Sequence, residues 1–237
     1  MPVRRDLKIR LTVDDVIRGQ GANPDIIRKR SPKLVEIAEI ALEEAKTLIQ
    51  HIVIYKELKV ESFRHNTLLL ENGTSLSGNY VKELLSRAER IIIVACTISD
   101  KLQQKVSEIA AMDIVYALAL DGAGSSAVES LSTSVCDDLE KDATIQGMQT
   151  TVPINPGIIG WPVECGQKQI FDILKDESSE ITINEIGIMN PFKSLSFIIG
   201  IGKDVQNNGN TCDLCTMRGS CIYHKNKEIE KISSSPH

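Results

Sequence analysis

A mixed chain of helices and strands is what this sequence predicts, on three observations. SPKLVEIAEIALEEAKTLIQHI carries apolar residues at helical spacing. The run IIIVAC, between Arg90 and Thr97, is continuous and apolar, as in a strand covered on both faces. EITINEIGI and SLSFIIGIG alternate or run apolar over strand lengths near the end of the chain.

Taken in order, the first helix places Leu34, Ile37, Ala38, Ala41, Ala45 and Leu48 on one face. Ser31 stands at its N-cap position and Pro32 in its first turn. NTLLLENGTSLSG sets an apolar run before Asn72-Gly73, a strong turn pair, and predicts a strand and turn. A helix over GNYVKELLSRAER, the strand Arg90 to Thr97 and a helix capped by Ser99 or Asp100 follow. DIVYALALDGAGSSAVESLSTSVCDDLEKDATIQG reads as a long helix rich in small residues, with a break at Gly122 and Gly124 as the alternative. TTVPINPGIIGWPVECG is a long shaped loop with three prolines and the only tryptophan, and loops of that length in a compact domain are usually functional. QKQIFDILKDES is a short amphipathic helix, and from about Asp204 the chain turns polar.

Composition narrows the function. A 237-residue chain with 42% hydrophobic residues can bury a full core as one large domain or two small ones. A net charge of −5 and only short basic runs such as Arg28-Lys29-Arg30 give no footprint for nucleic acid. The N-terminus lacks the roughly ten-residue apolar core of a secretion signal, and no stretch of about 18 apolar residues suggests a membrane span, so the expected location is cytoplasmic. Six cysteines, three of them within ten residues, suit metal better than a disulfide framework. Gly122 and Gly124 do not make a dinucleotide fingerprint, because Ala127 stands where its last glycine would; close helix packing is the better reading. No nucleophile lies near His51 or His65 in sequence.

AVESLSTSVCDDL, NPGIIGWP, QIFDIL and ITINEIGIMNPFKSLSFIIGIG, in that order, carry a family resemblance. Their most specific piece is E-x-x-x-M-x-P-x-x-S-x-S, here Glu185, Met189, Pro191, Ser194 and Ser196. Together they resemble the activation (AdoMet-binding) domain of cobalamin-dependent methionine synthase and its stand-alone relatives, over roughly the middle and later parts of the chain. The resemblance implies an α+β domain with a twisted antiparallel sheet and flanking helices. It also implies binding of S-adenosylmethionine (AdoMet) and docking on a corrinoid protein or corrinoid-dependent methyltransferase, whose cofactor carries the chemistry. In the family's loop an arginine stands three residues before Pro-Gly and a tyrosine follows it; here those positions are Pro153 and Ile158. Neither replaces a guanidinium fork. What remains is a backbone shape set by Pro156, Gly157, Gly160 and Pro162. Candidate AdoMet or corrinoid contacts are Pro156, Gly157, Trp161, Glu164 and Glu185. For Glu185 the alternative is a turn residue, and for Trp161 a core anchor.

Cys212-x2-Cys215-x5-Cys221-x2-His224 offers four ligands within thirteen residues, enough for tetrahedral zinc. Three thiolates can equally hold three irons of an iron–sulfur cluster, with Cys165 as a fourth thiolate if the tail folds back. The expected organisation is one activation-domain-like unit over residues 1–203, with 1–66 as a possible subdomain, and a Cys-rich metal-binding tail over 204–237. The function expected is support of corrinoid (vitamin B12)-dependent methyl transfer, as an accessory component. The alternative is a binding or scaffold protein that kept the fold and lost the AdoMet site. A free-standing AdoMet methyltransferase is disfavoured, because no glycine-rich loop follows a strand.

Overall fold

The computed structural model describes residues 3–177, 179–207 and 211–221. A short strand β1 (Val3–Arg4) leads to helices α1 (Val13–Gly19), α2 (Pro24–Arg30) and α3 (Pro32–Leu48). Strands β2 (Ile52–Arg64), β3 (Thr67–Leu70) and β4 (Ser75–Ser77) follow, then helix α4 (Asn79–Leu85). Next come β5 (Arg90–Thr97), α5 (Lys101–Ile109), α6 (Ile114–Ile145) and β6 (Gln149–Thr150). Helix α7 (Val163–Leu174), β7 (Thr182–Ile183), β8 (Met189–Asn190), β9 (Ser194–Gly202) and the single turn α8 (Thr211–Leu214) complete the described chain.

The main sheet is antiparallel, in the order β4-β3-β2-β5-β9-β6, and β1 also pairs with β2. Strand alternation divides the core in two. Ile92, Val94 and Cys96 of β5 face a cluster with α1, α3 and α6, while Ile91, Ile93 and Ala95 face one with α4 and α7. Both faces are thereby covered, which is why the central strand reads as an unbroken apolar run. Residues before 66 supply β1 and the central strand β2 to this same sheet. No helix among the described residues is long and apolar enough to cross a membrane.

Several local expectations change. Ser31 does not cap α3 with its side chain, since its backbone N–H closes α2 on Ile27. Helices α1 and α2 were not foreseen, although Thr12 forms a capping box with Asp15 and Asn23 caps α2 ahead of Pro24. EITINEIGI is not one strand: Asn184 accepts from the backbone N–H groups of Ile186 and Ile188 and bends it into the β7–β8 hairpin. VECG belongs to the first turn of α7, not to the preceding loop.

Helix α6 runs unbroken, capped by Asp113, and its glycines serve packing. A Cβ on Gly122 would lie 2.7 Å from the Val16 carbonyl oxygen, and one on Gly19 would lie 2.0 Å from the Gly122 carbonyl oxygen. Helix α1 therefore crosses α6 backbone to backbone. On the same helix, Asp121 and Ser125 each lie 2.8 Å from the buried Lys193 ammonium. Asp121→Ala should cost about 2 kcal/mol in urea denaturation, because it strands a buried charge; Asp121 is itself partly exposed, which moderates the loss. Lys193→Met removes charge and burial penalty together, so its cost should stay within about 1 kcal/mol. The reverse ordering would refute this account of the pair.

Candidate functional site

The Pro-Gly loop is fastened along the outer edge of β9. Ile154 exchanges backbone hydrogen bonds with Ile198 at 2.9 and 3.0 Å, and the Asn155 side-chain amide donates to the Ser196 carbonyl at 3.3 Å. Thr151 completes the seam, its hydroxyl accepting from Gly200 N–H at 3.0 Å. The loop then doubles back, with Gly157 N–H on the Trp161 carbonyl and Trp161 N–H on the Ile158 carbonyl. Gly157 at φ 103 and Gly160 at φ 74 make that reversal possible, in a region L side chains rarely adopt.

The motif serines act as fasteners beneath this loop. Ser196 donates to the Gln167 side chain at 2.8 Å in a buried contact that ties β9 to α7, and Ser194 donates to the Pro191 carbonyl at 2.6 Å. Gly166 lets α7 close on the loop, since a Cβ there would lie 2.8 Å from Pro156 and 2.9 Å from the Trp161 ring. Trp161 is 0% exposed, its indole N–H donating to Gln169 at 3.3 Å. Its ring is a buried core anchor, the alternative reading of this residue.

Pro156 and Gly157 are half-buried, whereas Glu164 and Glu185 are exposed. Glu164 opens α7 and pairs with Lys168 at 2.9 Å. The Lys168 ammonium titrates above its ordinary value, first because of the hydrogen bond and charge of Glu164, with a smaller contribution from Glu185. The hairpin tip also abuts α7, since a Cβ on Gly187 would lie 3.4 Å from the Glu164 Cα. Glu185 lies in that tip, whose turn is held by Asn184.

The segment Thr211 to Cys221 lies on the loop as a strap. Cys215 forms a β-bridge with Ile158, and Ile159 N–H donates to the Leu214 carbonyl at 3.0 Å. The Gly157 carbonyl accepts from both Thr216 N–H, at 3.4 Å, and Thr216 Oγ1, at 3.0 Å, while Thr211 Oγ1 donates to the Pro153 carbonyl at 3.0 Å. Sequence reasoning missed Thr211, Thr216, Asn155 and Gln167, because each acts on a residue distant along the chain.

The metal expectation finds no support among the described residues. Among the described residues no group of three or more His, Cys, Asp or Glu side chains could hold a metal ion. Cys212, Cys215 and Cys221 therefore form no cluster, and His224 lies outside the described residues. The strap is held on the loop through the bonds above.

The remaining cysteines divide by burial. Burial pushes the thiols of Cys96 and Cys136 up to about 12, whereas Cys165 is exposed. At pH 8 a disulfide reagent should therefore label Cys165 and the strap cysteines first, leaving Cys96 and Cys136 until denaturant is added. Fast labelling of Cys96 in the folded protein would contradict the packing of β5.

A cleft of about 960 Å³ lies on the other face of the sheet, between residues 4–18 and α6. Its size does not make it the site. The hydroxyls of Ser126, Ser130 and Ser134 are spent on the carbonyls of Asp15, Arg10 and Lys8, and Arg4 pairs with Asp138. It is the seam along which the N-terminal segment is stitched to α6.

No protein-family model and no curated protein matches this sequence. Among solved structures, the crystal structure of the MetH reactivation domain bound to AdoHcy is similar, with 12% sequence identity and a TM-score of 0.60. The match covers 97% of this chain and 90% of that one. At this identity the likeness is one of fold: the chain is an α+β domain, a twisted antiparallel sheet with flanking helices, built like that reactivation domain.

Proposed function

We propose that this protein supports corrinoid-dependent methyl transfer as an activation-domain-like component that binds AdoMet at the Pro-Gly loop and docks on a corrinoid protein. The observation that carries the reading is the near full-length fold likeness to a reactivation domain bound to AdoHcy. AdoHcy is AdoMet less its sulfonium methyl, so the ligand class is the same. With a reduced corrinoid bound nearby, AdoMet would supply its methyl group as a cation and leave as AdoHcy.

This chain's own residues support binding and orientation. Glu164 and Glu185 give the face beside the loop two carboxylates able to meet the ligand's sulfonium or ammonium charge. Lys168, paired with Glu164 at 2.9 Å, is the cation available to the ligand's carboxylate in place of the family's arginine; its single ammonium is a weaker and less directional partner. Pro156 and Gly157 shape the backbone on which the ligand would lie. Around the loop, Ile159, Val163, Ile186, Ile188 and Met217 are exposed, and Gly157 lies 3.1 Å from Val163 measured from its would-be Cβ. An exposed apolar surface beside a polar site suits a protein partner.

Calorimetry with AdoMet, AdoHcy and a cob(II)alamin-loaded corrinoid protein tests the reading. Binding of AdoMet should weaken about tenfold in Glu164→Gln/Glu185→Gln, each exposed pair contributing up to about 1 kcal/mol. Silence toward AdoMet and toward the corrinoid protein would sink the reading. It would favour a scaffold that kept the fold, which the strap's occupation of the loop's polar groups also suggests.

A further inference from the structure

We infer that the strap Thr211 to Cys221 is a displaceable cover of the Pro-Gly loop, competing with the ligand for the loop's own hydrogen-bonding groups. The inference rests on the reading of that loop as the AdoMet site.

Two observations carry it. The strap first occupies polar backbone groups of the loop on which the ligand is proposed to lie. The Gly157 carbonyl already accepts twice from Thr216, the Ile159 N–H is given to Leu214, and the Pro153 carbonyl accepts from Thr211. A buried ligand cannot share these without leaving a polar group unmet, and an unmet group is expensive. Occupation of the loop by AdoMet and docking of the strap therefore exclude one another.

The strap is also lightly held. None of residues 211–221 is buried, and Leu214 alone packs against the core beneath. Met217 is 59% exposed and Arg218 pairs with Asp213 within the strap itself, so neither adds a bond to the loop. Segments with few buried apolar contacts and exposed hydrogen bonds open locally, at a fraction of the global unfolding free energy. By contrast Ile154, bonded to Ile198, is fully buried in the same loop. The displaceable part is thus the strap, while the loop beneath it stays fixed through buried Ile154, Ile158 and Trp161.

The full chain is compared with Thr211→Val/Thr216→Val, which removes both hydroxyl donors and leaves every loop residue unchanged. AdoMet should bind the variant about fivefold or more tightly, because apparent affinity scales with the fraction of molecules whose site is uncovered. Amide exchange is read in parallel. In the unliganded chain Ile159 and Thr216 should exchange well ahead of Ile154, and the variant should speed Ile159 without altering Ile154. Saturating AdoMet should speed Thr216 by displacing it. Equal or weaker AdoMet binding by the variant overturns the inference, as does exchange of Ile159 as slow as that of Ile154. If neither protein binds AdoMet, the functional reading fails on its own, and the exchange rates still decide whether the strap opens.

Discussion

Trp161→Ala is expected to lower stability by about 3–5 kcal/mol, the range for deleting a fully buried aromatic side chain. The ring is 0% exposed and is enclosed from two sides. A Cβ on Gly78 would lie 3.1 Å from it, and one on Gly166 would lie 2.9 Å from it, so the backbones of the α4 entry and of α7 are drawn in around the indole. Those backbones cannot follow a missing ring inward, and a cavity remains. Urea denaturation should show a lower midpoint at an unchanged slope. A loss under about 1 kcal/mol would mean that the ring is not the anchor described.

Gly19→Ala should be nearly as damaging, at about 3 kcal/mol, although a single methyl group is added. That methyl would stand 2.0 Å from the Gly122 carbonyl oxygen and 2.7 Å from Ser126 Oγ. Backbone cannot rotate aside, so α1 must lift from α6, and overpacking of this kind typically costs 1–3 kcal/mol and occasionally more. The lift would also break the 2.6 Å hydrogen bond from Ser126 to the Asp15 carbonyl. Gly124→Ala is the contrast. Its methyl would meet the end of the Leu102 side chain, at 2.8 Å, which can change rotamer. A gain in helix propensity of up to about 1 kcal/mol then offsets much of the cost, and the net change should stay near zero. Equal effects at Gly19 and Gly124 would show that the close crossing is absent.

The resemblance and the fold arrive at the same architecture from different information. The motif serines illustrate the limit of the first. Ser194 and Ser196 are recognisable in sequence as part of a pattern, and in the fold they fasten β9 to Pro191 and Gln167. Glu164 and Glu185 are 21 positions apart in sequence, and only the packing of the hairpin tip on α7 sets them on one face.

By itself the sequence determined the strand from Arg90 to Thr97, the strand that ends the sheet's core, the helix from Pro32, the Asn72-Gly73 turn and the long helix from Ile114. These are local signals, in which period, cap or turn chemistry is written in neighbouring residues. The central strand β2 is legible too, in the apolar run IVIY. Tertiary structure alone decided the rest. Gly122 is a contact point because Gly19, about a hundred residues earlier, comes to meet it, and the cysteine-bearing segment is a strap because Cys215 finds Ile158. Backbone contacts of that kind carry no side-chain pattern, since the groups that make them are the same at every residue. Only the folded chain brings the two partners together.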